Sequence, residues 1–260
     1  LWQTSKKNST LSAQKIRDLS DVFFSCKKSI FGFIIFHIMK VTDTELTAED
    51  ISYIKKAVKE RQPIDFFCYT LTPDQKIRFQ KILAVFLEEC NQMYLYNYLT
   101  YCLFELLDNG SKANAKRIFF QEHNLDINNE EDYKNGMKTF KETLVENTLY
   151  YQEKLRAGEL RVHLLLTAND VISVTVSNNT KITDSEYARI LEKIEKTKVY
   201  NSMAEAISDI DQTEGSGLGI ITVLVMLKKL GLDAKHLKFD TSDNETVATI
   251  EIPKDSIEEI

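Results

Sequence analysis

The sequence predicts an α+β domain, a two-layer α/β sandwich in which helices cover one face of a mixed β-sheet. Three observations carry that prediction. Long stretches repeat apolar residues at the three-to-four spacing of amphipathic helices. A few short segments are rich in β-branched and aromatic residues and alternate apolar with polar positions. These strands fall mostly into hairpin pairs, unlike the regular strand–helix–strand units of a parallel sheet. At 260 residues, 43% of them hydrophobic, the chain suits one large domain or two small ones.

The elements follow in order. In TAEDISYIKKAVKER, Thr47 and Asp50 form a capping-box pattern and apolar residues recur at helical spacing, so a helix is expected up to Pro63. IDFFCYTLT reads as a strand. Thr72 and Pro73 then read as an N-cap and first helical position for PDQKIRFQKILAVFLEECNQ. A second long helix is expected from about Tyr94 through ELLDNGSKANAKRI. The polar stretch from Phe119 to Gly158 contains one more helical pattern, YKNGMKTFKETLVENTLYYQEKLRAG. RVHLLLT and VISVTVS alternate around Ala168-Asn169-Asp170 and predict a hairpin. After the polar NNTKITD come a helix in DSEYARILEKIEKTKVY, the loop GSGLG, an apolar helix ended by Gly231, and strands around LKFD and VATIEIP.

Residues 1–38 differ in texture. A polar segment precedes the ten-residue run IFGFIIFHIM, which is too short to span a membrane and lacks the small-residue cleavage site of a signal peptide. The chain opens on Leu1, and Met39 begins a cleaner acidic amphipathic stretch, so residues 1–38 are expected to be disordered or not native. The four cysteines, Cys26, Cys68, Cys90 and Cys102, show no metal-ligand spacing and read as reduced thiols of a cytoplasmic protein. A net charge of −6 provides no basic footprint and argues against nucleic acid as the main partner.

Two features carry chemistry. Glu105, Asn109 and Lys112 share one face of a helix, so a carboxylate, an amide and an ammonium stand in a row. Such a row suits a hard metal ion and phosphate oxygens, and a solvated helix face is the plainer alternative. In GSGLG, Gly215, Gly217 and Gly219 open the helix GIITVLVMLKKL, where bare backbone N–H groups and the helix dipole make an anion site. No GxxxxGK[ST] is present, and the polar AISDIDQTE before the loop is not a strand, so neither a P-loop nor a dinucleotide fingerprint fits.

Together these motifs resemble those of the GHKL ATPases, the superfamily of histidine kinases, gyrase, Hsp90 and MutL. ELLDNGSKANA resembles the N box, VISVTVS with NNTKIT a degenerate first glycine box, and EGSGLGI the second glycine box, in the right order over residues 63–253. The resemblance implies the Bergerat fold, with ATP and Mg²⁺ as cofactors. It makes Glu105 the general base, Asn109 the Mg²⁺ ligand and Lys112 a phosphate contact. Gly215, Ser216, Gly217, Leu218 and Gly219 would wrap the phosphates, and about 179–214 would be the ATP lid. Asn178 stands where the family has the Asp that reads adenine, and Thr180 stands among positions the family keeps as glycine. An Asn can accept from the adenine amino group through its carbonyl and donate to a ring nitrogen through its NH₂.

The expected organisation is a helical lead-in over 39–62, a histidine-kinase-like ATPase domain over 63–253 with an insertion at about 119–158, and a tail over 254–260. The insertion is expected to dock a partner or form a homodimer. None of His37, His123, His163 and His236 has the context of a phosphoacceptor. The expected function is therefore that of a signalling kinase passing the γ-phosphate to a protein partner. The alternatives are an anti-sigma-type serine kinase, an ATPase of the MutL or Hsp90 kind, and a GHKL-fold regulatory module without turnover.

Overall fold

In the computed structural model, residues 45–197, 218–242 and 244–254 are described, and all belong to the second of two units, Thr44–Ile260. The predicted segment 1–38, Cys26 and His37 lie outside the described residues, as do Gly215, Ser216, Gly217 and the C-terminal part of the expected lid.

The local signals build their elements. Helix α1 (Ala48–Lys59) starts on the Thr47 and Asp50 capping box, in which Asp50 N–H donates to Thr47 Oγ1 at 3.0 Å and Thr47 N–H donates back to Asp50 Oδ2 at 3.1 Å. Strand β1 (Ile64–Cys68) leads to α2 (Pro73–Glu89), whose N-cap Thr72 accepts from Gln75 N–H at 3.2 Å. Arg78 of α2 reaches Asp50 at 3.2 Å with both side chains 9% exposed, so the capping carboxylate also ties α1 to α2. A 3₁₀ turn at Met93–Leu95 runs into α3 (Tyr96–Glu122), the longest helix described.

The insertion forms two helices, where the sequence pattern suggested one: α4 (Glu130–Glu146) and α5 (Thr148–Ala157). The break falls at Asn147, whose side-chain amide donates to Thr143 O at 3.0 Å and competes with the backbone ladder. Strands β2 (Val162–Ala168) and β3 (Val171–Asn178) form the predicted hairpin. Helix α6 (Asp184–Thr197), α7 (Leu218–Lys229), β4 (Leu237–Thr241) and β5 (Thr246–Pro253) complete the order.

The five strands lie in the order β1-β2-β3-β5-β4, and every pairing is antiparallel. The expected mixed sheet is thereby corrected. The path through α2 to α5 returns the chain to the end of the sheet where β1 finished, so Val162 lies beside Cys68 and β2 runs back along β1. Val162, Leu164 and Leu166 of β2 face the helices together with Ile172, Val174 and Val176 of β3 and Ala248, Ile250 and Ile252 of β5. The alternate residues, Ser173, Thr175, Thr249 and Glu251 among them, line the open face. One-sided burial of this kind defines an α+β two-layer arrangement.

Helix α3 lies over β3 and packs on α7, with α2 on its other side. Helix α7 is apolar almost all round because it is buried against α3 and α6. Beyond the sheet, Phe119 and Phe120 of α3 form a second apolar cluster with Tyr133 and Phe140 of α4 and Tyr151 of α5. The described cysteines are free thiols, and burial pushes Cys68 and Cys102 up to about 12. No described helix is long and apolar enough to cross a membrane.

Helix α7 ends in a Schellman turn: Leu232 N–H donates to Leu227 O at 2.9 Å, and Gly231 takes φ +73°. A Cβ on Gly231 would meet nothing within 4 Å, so only the backbone conformation demands glycine. Gly231→Ala should lower stability by about 1 kcal/mol in urea unfolding, and Gly231→Asn by less, because Asn tolerates the left-handed region. Equal losses would show that the backbone conformation is not the cause.

Candidate functional site

A cleft of about 550 Å³ opens between α3, the sheet ends, α4, α6 and the start of α7. Five residues singled out from sequence line it: Glu105, Asn109, Lys112, Asn178 and Gly219. Gly215, Ser216 and Gly217 lie outside the described residues, and Leu218 is the first backbone position of α7.

The row on α3 meets the start of α7 directly. A methyl group built on Gly219 would stand 2.8 Å from Glu105 Oε2 and 3.2 Å from Asn109 Nδ2. Two helices far apart in sequence thus bring a carboxylate, an amide and a helix N-terminus to one point, and any side chain at 219 would fill it. Asp108, adjacent in sequence, points elsewhere and pairs with Lys76 of α2 at 2.7 Å. Gly110 allows α3 to lie this deep, since a Cβ there would be 3.2 Å from Val162 Cγ1 and 3.5 Å from Asn178 Cβ.

The charge of the cleft opposes that of the chain. Among its described lining residues are six cations, Lys112, Lys116, Arg117, Lys141, Arg189 and Lys193, against the two carboxylates Glu105 and Glu186, in a protein of net charge −6. Such a concentration attracts an anion. The apolar part is supplied by Val176, Phe239 and Ala248 on the sheet and by Met137, Phe140 and Leu144 on α4. The insertion is therefore a wall of the cleft. Its most exposed large apolar residues, Val145 and Leu149, are 75% and 76% exposed at the junction of α4 and α5.

Asn178 ends β3, with Thr246 of β5 beside it in register. Its Nδ2 donates to Asn114 Oδ1 at 3.2 Å and to Thr180 Oγ1 at 2.7 Å, so the NH₂ expected to be available for a ring nitrogen is already engaged. Thr246 Oγ1 donates to Thr180 O at 2.8 Å and fixes the turn that follows. Asn179 is occupied otherwise, accepting from Arg161 N–H at 2.7 Å and donating to Glu159 O at 2.9 Å.

Glu186 is an element the motif reading missed, although Thr183-x-x-Glu186 is a legible capping box for α6. Lys116 lies 2.8 Å from its carboxylate and Arg117 2.6 Å. Arg117 also donates to Lys181 O at 2.7 Å, which ties the segment after β3 to α3. Burial pushes the Glu186 carboxyl up, but the Lys116 charge and the Arg117 hydrogen bond outweigh it and hold the group far below the carboxylate range. Lys116 follows Lys112 by four residues on the same helix face, a spacing that could have found it.

Chemically, Glu105 and Asn109 offer two hard oxygens, and the N-terminus of α7 and Lys112 offer positive potential. No group of three or more His, Cys, Asp or Glu suited to a metal occurs among the described residues. A divalent cation here would complete its shell with ligand oxygens and water, as Mg²⁺ does beside phosphates.

The three described histidines make local contacts: His123 stacks on Phe119 at 4.1 Å, His163 lies 3.3 Å from Asp65, and His236 lies 3.0 Å from Asp233.

No protein-family model matches the chain, and no solved structure matches it. It is similar to an uncharacterized protein of Treponema pallidum (strain Nichols), 34% identical over 218 residues, which is 83% of this chain and 42% of that protein. The chain thus spans less than half the length of that relative.

The Glu186 pairing predicts a pH dependence. Its folded value lies below its ordinary value near 4.5, so its contribution is complete above that pH and is lost as the pH falls. Glu186→Gln should cost about 2–3 kcal/mol at pH 7. In urea titrations the gap from wild type should shrink steadily below pH 4.5; a gap independent of pH would exclude the ionised pair as its source.

Proposed function

We propose that the cleft binds Mg·ATP and that the protein is a histidine-kinase-like signalling protein of the GHKL type, passing the γ-phosphate to a protein partner. The observation that carries this reading is the meeting of Gly219 with Glu105 and Asn109, the second glycine box with the N box. The cationic lining, a volume suited to a nucleotide and the one-sided α+β sandwich support it.

The donor set fits the cofactors. Bound Mg·ATP would supply the transferable phosphoryl group. Asn109 would give its side-chain oxygen to the metal, and Lys112 with the first N–H groups of α7 would hold phosphate oxygens. Glu105 stands beside the same point and could take a proton from an attacking hydroxyl or water. The close packing of Gly219 keeps bulk out of that corner. Val145 and Leu149 at the α4–α5 junction would offer a partner an apolar contact.

A second reading, a regulatory module that binds nucleotide without turnover, is favoured by one observation. The turn after Asn178 carries Thr180 and is fixed by bonds to Asn114 and Thr246, which leaves less room and fewer donors for a base.

Mg·ATP should raise the melting temperature by several degrees at concentrations far above Kd. Asn109→Ala should abolish that rise, and Gly219→Ala should reduce it by crowding Glu105. No stabilisation of the wild type would sink the reading. ATP labelled at the γ position separates the activities: label on protein marks a kinase, free phosphate an ATPase, and neither the regulatory module. Glu105→Gln should remove turnover while sparing binding; retained turnover would end its role as base.

A further inference from the structure

We infer that the free edge of β4 pairs with the β4 edge of a second copy of this chain, in one antiparallel register fixed by Lys238 and Asp240. The inference does not rest on the nucleotide reading, and the surface is a different one from the insertion, where a homodimer was expected.

The two edges of the sheet differ. On the outer side of β1, Tyr53 of α1 closes the edge: its hydroxyl accepts from Asp65 N–H at 3.3 Å and donates to Pro63 O at 3.4 Å. Strand β4 is last at the other end and pairs with β5 alone among the described residues. Such an edge offers backbone N–H and C=O groups to another strand.

Which groups it offers follows from the hairpin. Ser242 N–H donates to Glu245 O at 3.0 Å, and successive residues of an antiparallel strand turn their backbone groups to opposite sides. Ser242, Asp240 and Lys238 therefore bond toward β5, and Thr241, Phe239 and Leu237 direct theirs to the free side. Leu237 N–H is taken by Ala234 O, which leaves its carbonyl. With a two-fold axis at Phe239, Phe239 of each copy exchanges N–H and C=O with Phe239 of the other, and Thr241 N–H of each meets Leu237 O of the other. Only the Thr241 carbonyl stays with water.

The side chains select this register. Lys238 and Asp240 stand on the open face of the sheet, where Lys238 Nζ lies 2.6 Å from Glu251 of β5 and Asp240 has no ion pair among the described residues. With the axis at Phe239, Lys238 of each copy lies directly opposite Asp240 of the other, in the closely spaced kind of pair whose Cα atoms are about 4.5 Å apart. Moving the axis by one residue sets Lys238 against Lys238 or Asp240 against Asp240, and parallel pairing in register also sets like beside like. Charges on an edge strand commonly block pairing; here they block the neighbouring registers and favour one. A second copy satisfies that pattern by symmetry. Phe239 also lines the cleft, so the seam runs along the β4 side of both clefts.

The test is sedimentation velocity of the full chain at rising protein concentration, without nucleotide. Wild type should form a reversible dimer, weak because a single edge pairing is a small interface, and added salt should loosen it. Lys238→Asp and Asp240→Lys should each weaken the dimer by about tenfold or more, since each sets like charges opposite one another on both sides of the axis. Mixed in equal amounts, the two variants should recover wild-type association, because the acidic edge of one meets the basic edge of the other. Thr241→Pro removes a donor to the seam and none to β5, and should weaken association while circular dichroism and Tm stay as in wild type. A wild type that stays monomeric, a dimer that survives both charge reversals, or a mixture that stays monomeric would each overturn the inference. If a reversed variant fails to fold, as judged by circular dichroism, undiminished association of folded Thr241→Pro overturns it instead.

Discussion

The close contact of α3 with the end of the sheet is the constraint on which the rest depends. Because position 110 has no side chain, the helix settles where a Cβ would lie 3.2 Å from Val162 and 3.5 Å from Asn178. At that depth Asn114 reaches the Arg161 carbonyl, and Glu105 and Asn109 come level with the first turn of α7. The second half of α3 projects past the sheet. Its apolar residues Phe119 and Phe120 would be left open to water there, and α4 and α5 bury them.

Two clusters of bonded polar groups border the cleft and help set its shape. Glu186 is held by Lys116 and Arg117, so α6 is fastened to α3 through a satisfied ionic cluster. A buried carboxylate of this kind contributes more to placing a helix than to net stability, since desolvation offsets much of the attraction. Asn114, Asn178, Thr180 and Thr246 form the neutral counterpart where β3 ends and β5 begins. Between the two clusters the cleft keeps an excess of cations in an acidic protein, a local field that the net charge conceals.

The sequence showed the local structure well where a local force decides it. Thr47 with Asp50, Thr72 with Pro73, the Asn169-Asp170 turn and Gly231 each set their element through bonds or dihedral limits among near neighbours. The row of Glu105, Asn109 and Lys112 was legible for the same reason, because helical geometry alone places them on one face. The division of the insertion at Asn147 was not, since a polar helix with one weak interruption keeps its period across the break.

Residue spacing therefore determined the helices, the hairpin and half of the candidate site, all of which depend on contacts a few residues apart. Only the tertiary structure decided the antiparallel direction of β1 against β2, the use of α4 as a wall of the cleft, and the meeting of Gly219 with Glu105. It also decided how the Asn178 amide is turned. An amide has two opposite ends of nearly equal size, and its NH₂ end is directed to Asn114 Oδ1, 64 residues away in the chain, and to the Thr180 carbonyl, both of which can only accept.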